Sequence, residues 1–132
     1  MPVTITPFLR NSFLLDAVAS GATGLLMLAG GSLVASLTGL PQPLLFWAGV
    51  SLMPFVALLV HVSRQPAVSA GLANAIVGIN VLWVVASFGI LLAGVVQPNL
   101  LGIAFVVAQA LAVALFAALQ VAGLRRGSTA AA

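Results

Sequence analysis

The sequence predicts an all-α polytopic membrane protein, an up-down bundle of four transmembrane helices with both termini cytoplasmic. Three observations carry this. The 132 residues are 63% hydrophobic and 4% charged, with a mean hydropathy of +1.31. A soluble domain carries about 25% charge, so this chain lacks the polar coat that water requires. Residues 17–60 and 65–124 contain no charged side chain, and each stretch is long enough for two crossings at about 20 residues per crossing. Finally, all four cationic residues are arginines that fall on one side of such a bundle.

The turns are read from their breakers. Gly39-Leu40-Pro41-Gln42-Pro43 interrupts the first uncharged stretch, and Gly94-Val95-Val96-Gln97-Pro98-Asn99 the second. Ser63-Arg64-Gln65-Pro66 separates the two. Proline removes a backbone donor and restricts the residue before it, so these segments end helices. The four spans are accordingly placed at about 12–38, 43–63, 70–95 and 99–124, within a single integral membrane domain over 1–132. Lipid requires every backbone group to pair internally. A barrel would need alternation, and runs such as Leu25-Leu26-Met27-Leu28 do not alternate. A cleaved signal segment is not expected, because its apolar core would contain Asp16.

Arg10 precedes the first span, Arg64 lies between the second and third, and Arg125 and Arg126 follow the fourth. The two opposite turns carry no charge. Arginine marks the cytoplasmic side, and these residues suit anionic lipid headgroups. Four arginines are too few for a nucleic-acid stripe, despite a sequence pI of about 12.0. The two charge-free turns echo one another, with Leu, Gly, Gln, Pro and Leu recurring between 37–45 and 92–100. A repeat of this kind would be parallel, with its axis along the membrane normal.

Depth follows from about 1.5 Å per helical residue. Asp16, His61, Asn74 and Gln120 are expected in one cytoplasmic layer, within roughly 3–6 Å of the span ends. Thr23, Asn80, Trp83 and Gln109 are expected near the midplane. Asp16 is the only acid. A membrane-embedded acid marks a functional site by default, with His61 as its partner in a proton-coupled carrier. In the first turns of a helix it reads more readily as an electrostatic cap, paired by an arginine snorkelling back. Asn80, Trp83 and Ser87 share one helix face. They read either as interhelical hydrogen-bond glue or as the wall of a midplane pocket, helped by a kink at Pro54. Trp47 fits an aromatic belt.

Small residues recur every fourth position at Ala110, Ala114, Ala118 and Ala122, and in pairs such as Ala17/Gly21, Ser20/Gly24, Gly71/Ala75 and Asn74/Gly78. Such rows let helix backbones approach closely. With one His, one acid and no cysteine, no catalytic residues, metal ligands or cofactor are expected. No phosphate loop, H-E-x-x-H or G-x-S-x-G is present.

Four helices in a short chain, with one carboxylate in the first, resemble the small multidrug resistance transporters in architecture. Those proteins carry a Glu deeper in the first helix and show mixed topology. This chain departs from both features and has none of their other motifs. The lysine-free, Ala/Leu/Val-rich composition is similar to that of proteins from GC-rich bacteria and suggests an inner membrane. The expected role is assembly, as an accessory or scaffold subunit or a homo-oligomer. The expected partners are the lipid bilayer and a second copy or another membrane protein, with no nucleic acid. The alternative is a small-molecule or ion transporter or channel using the two polar layers.

Overall fold

The computed structural model describes residues 2–131, with side chains through Arg126. Its elements are β1 (Pro2–Thr4), α1 (Pro7–Ala29), α2 (Gly31–Thr38), α3 (Gln42–Ser63), β2 (Ala67–Ser69), α4 (Ala70–Leu92) and α5 (Leu100–Ala131). Four helices are long and apolar enough to cross a membrane: α1, α3, α4 and the Leu100–Arg126 portion of α5. This is the architecture of a multi-pass membrane protein.

The first span differs from the expected 12–38. It starts five residues earlier because Thr6 caps it, its hydroxyl accepting from the Leu9 N–H at 3.3 Å, and Pro7 supplies the preset φ of a first helical residue. It also breaks at Gly30 (φ −106, ψ 17), so the expected single helix is two. Adjacent glycines lack the side chains that stabilise a straight helix. The break lets α2 pack on both α3 and α5.

The charge-free turns behave as read. Gly39 (φ +75) and Gly94 (φ +71) both adopt the left-handed conformation that other residues rarely take. Gly94 thereby stops α4 at Leu92 rather than 95. Asn99 ties the two turns together: its N–H donates to the Thr38 carbonyl (2.9 Å) and its side chain to that of Leu37 (2.8 Å). Gly102 lies against the same carbonyl so closely that a Cβ there would collide with it. The fourth span begins one residue later than expected, at Leu100, and α5 continues past 124 to Ala131.

A short antiparallel ribbon was not anticipated. β1 pairs with β2, with Val3 opposite Val68. Both valines are buried and close the core over Leu9, Phe13, Leu59, Val62 and Ile76. Beside the ribbon, Arg10 donates from Nε to the Ser63 carbonyl at 2.7 Å, and the Arg126 guanidinium sits 4.2 Å from the centre of the Phe8 ring. These contacts gather the ribbon and arginines 10 and 126 at one end of the molecule, with the charge-free turns at the other. A second core cluster near those turns joins Met27, Val34, Leu40, Leu45, Leu52 and Val106.

Helix packing is uneven. The α1–α3 contact is the most extensive, followed by α4–α5 and α1–α5. At the α1–α3 seam, a Cβ on Gly49 would lie 3.0 Å from the Gly24 carbonyl oxygen, so both backbones approach without side chains between them. α4 leans chiefly on α5 and is the least buried of the four spans.

Candidate functional site

The polar side chains form two separate clusters, and their membership differs from the two expected layers. The first is built on Asp16. The earlier helix start places Asp16 nine residues into α1, about 13 Å from its end rather than about 5 Å. At that depth it meets Asn80, ten residues into α4, and Gln120 of α5. Asn80 Nδ2 donates to Asp16 Oδ2 at 2.8 Å and to Gln120 Oε1 at 3.0 Å. Gln120 Nε2 donates to the same Asp16 oxygen at 2.7 Å, and Ser20 Oγ donates to Asp16 Oδ1 at 2.9 Å. Asp16 and Gln120 are 0% exposed and Asn80 2%. Asn80 therefore belongs with Asp16, not with Gln109.

This triangle joins three helices that touch unequally, since α4 reaches α1 mainly through these side chains. A carboxylate offers about four acceptor sites and no donor when ionised. Here the three groups hydrogen-bonded to it are neutral. The dipole-capping reading of Asp16 fails because the residue lies well beyond the first turn, where the helix field is spent. Arg10 does not snorkel back to it: besides Ser63, it donates to the Gln65 carbonyl at 3.4 Å.

The second cluster lies on α4 and α5. Trp83 Nε1 donates to Gln109 Oε1 at 2.7 Å. Gln109 Nε2 donates to Ser87 Oγ at 2.9 Å and to the Val106 carbonyl at 2.8 Å. Ser87 Oγ in turn donates to the Trp83 carbonyl at 2.7 Å. Two cavities share Trp83 and Gln109 as a wall. The larger, about 160 Å³, lies toward the charge-free turns among Met27, Leu45, Ala48, Ile90 and Phe105. The smaller, about 70 Å³, is lined by Ser20, Thr23, Leu52 and Phe116. Thr23 itself donates to the Ala19 carbonyl of its own helix at 2.8 Å, a common resting place for a mid-helix hydroxyl.

The remaining expected residues stay apart. His61 and Asn74 are exposed and join neither cluster. Arg64 is exposed at the C-terminal end of α3, and Arg125 is exposed within α5, at the end of its apolar Leu100–Arg126 portion. Pro54 faces outward within an unbroken α3 and lines neither cavity. Ser20 was read only as a small packing residue paired with Gly24, and its i, i+4 spacing from Asp16 was the signal for the hydrogen bond it makes. Among the described residues, every buried side-chain nitrogen and oxygen has a hydrogen-bond partner. No protein family, curated protein or solved structure matches this chain.

Proposed function

We propose that this is a non-catalytic integral membrane protein that acts by assembly, and that α4 is the helix through which it meets a second copy of itself. The observation that carries the proposal is the outer face of α4. Gly71, Ala75, Gly78, Leu82, Val85, Gly89 and Leu92 repeat at alternating spacings of four and three, and all are exposed. This is the pattern of a helix–helix seam. A Cβ on Gly71, Gly78 or Gly89 would meet nothing within 4 Å, so no contact inside the protomer calls for glycine there. Glycine in a helix is less stable than alanine by about 1 kcal/mol. A close-packed partner supplies the missing reason, because small residues let a second backbone come near.

The partner is a second copy because the arginine distribution favours one orientation for every molecule, both termini in the cytoplasm of a bacterial cell. Copies inserted alike meet α4 to α4 about a two-fold axis along the membrane normal, which makes the seam self-complementary. The Asp16 cluster supports assembly over transport. Its carboxylate is enclosed by Ser20, Asn80 and Gln120, and neither cavity is lined by it.

The chain has no native cysteine, so single-cysteine crosslinking in membranes is clean. Leu82→Cys (67% exposed) is expected to crosslink into dimers, and Val18→Cys on α1 (71% exposed) is not. Equal crosslinking at both positions, or none at Leu82, overturns the α4 seam. Native mass spectrometry showing a stable complex with a different protein overturns the second copy.

A further inference from the structure

We propose that the cavity of about 70 Å³ between the two polar clusters binds a small monovalent cation, an alkali metal ion or a primary ammonium, as the counterion of Asp16. A buried charge is ordinarily paired or bound to a metal ion. Asp16 is 0% exposed, and the three side chains that hydrogen-bond to it, Ser20, Asn80 and Gln120, are all neutral. Each of them donates to it, as an acceptor-only carboxylate requires. Its hydrogen bonds are therefore satisfied, while none of these partners balances its charge. The cavity stands one hydrogen bond away. Ser20 lines it and donates to Asp16 Oδ1 at 2.9 Å.

The wall is suited to a cation. Polar atoms form a larger share of it than of the bigger cavity, whose wall is almost wholly apolar. Its polar side chains are Ser20, Thr23, Trp83 and Gln109, and none has a hydrogen left to give. Ser20 donates to Asp16, and Thr23 to the Ala19 carbonyl. Trp83 donates to Gln109, whose two amide hydrogens go to Ser87 and Val106. Ser20 Oγ, Thr23 Oγ1 and Gln109 Oε1 each keep a free lone pair. Hard cations take such oxygen ligands. The Trp83 and Phe116 rings also line the cavity, and aromatic faces attract cations. Size and charge set the class. The volume holds about two water-sized groups, enough for a metal ion with one water or for methylammonium. One carboxylate calls for one positive charge, whereas Ca²⁺ takes about 6–8 oxygens.

The test uses Trp83 as its reporter. Trp47→Phe leaves Trp83 as the sole indole, since the chain has two tryptophans. The protein in lipid nanodiscs is titrated with sodium, potassium and methylammonium chlorides. Each replaces N-methylglucamine chloride at constant ionic strength, while indole emission and the unfolding temperature are followed. The expected result is a saturable emission change with at least one of the three ions, and a rise in unfolding temperature over the same range. Saturation by the metal ions alone, or by methylammonium alone, upholds the site and identifies the source of the charge. Asp16→Asn keeps the shape and should raise the half-saturating concentration roughly tenfold. Ala112→Leu, which fills the cavity, should remove the saturable phase. If that variant does not fold, Thr23→Val, which replaces one oxygen by a methyl group, should weaken binding several-fold. A signal linear in concentration for all three ions overturns the site. An unchanged half-saturation in Asp16→Asn overturns the counterion. Crosslinking at Leu82 is unaffected by either result, so this proposal and the α4 seam stand or fall separately.

Discussion

The α1–α3 seam and the outer face of α4 use glycine in opposite circumstances. At the seam, Gly49 is pressed against the Gly24 carbonyl and the Leu28 side chain, and an added Cβ would lie 2.9–3.0 Å from them. On α4, Gly71, Gly78 and Gly89 have open space where a Cβ would go. All five sit in apolar helices of similar length and composition. Small residues in a membrane helix thus permit close approach without saying which approach is made. The seam spends that permission inside the protomer, and α4 keeps it for an outside partner.

The most severe way to break this comparison is Gly49→Leu. Overpacking of a tight contact is destabilising by about 3 kcal/mol, and the expected outcome is loss of the folded monomer, read by unfolding in denaturing detergent. Asp16→Ala comes next. It strands the Asn80 and Gln120 amides in a dry interior, and the expected loss is about 2–3 kcal/mol by the same measurement. Asp16→Asn keeps an acceptor oxygen in place and should lose about 1 kcal/mol. A loss equal to that of alanine would mean that the charge, and not the hydrogen bonding, holds the three helices together.

Gln109→Leu tests the α4–α5 contact. An interhelical hydrogen bond in lipid is worth about 0.6 kcal/mol, so stability should fall by no more than about 1 kcal/mol while Trp83 emission shifts as its N–H loses its partner. The smallest effect on the fold belongs to Gly78→Leu, expected within about 0.5 kcal/mol of the native protein. That variant should nevertheless abolish crosslinking at Leu82. A destabilisation as large as that of Gly49→Leu would erase the distinction between the two faces.

The spans were legible because the signal is local. Charge-free runs bounded by Gly-Pro turns report where the chain meets water, and the two positive-φ glycines fall in the turns so identified. The β1–β2 ribbon was not legible. Three-residue strands have no periodicity to read, and Val3 meets Val68 only because the arginine-end core brings them together. The helix start at Pro7 could have been read from Thr6-Pro7, a capping residue followed by a first-turn proline. Missing it displaced Asp16 by about 8 Å and separated it from Asn80 on paper. Once the start is corrected, depth arithmetic places the two residues together.

The sequence alone determined four stretches long and apolar enough to cross a bilayer, and its Gly and Pro positions determined where the chain turns, because desolvation and backbone restriction act on each residue largely whatever its distant neighbours are. The pairing of polar groups was decided by tertiary structure. Asn80 and Gln109 share similar chemistry and both lie well inside their helices, yet one faces the Asp16 carboxylate and the other the Trp83 indole. Which of these a side chain meets depends on how α4 leans on α5 and how far it stands from α3. Packing of whole helices sets that geometry, and no short stretch of sequence encodes it.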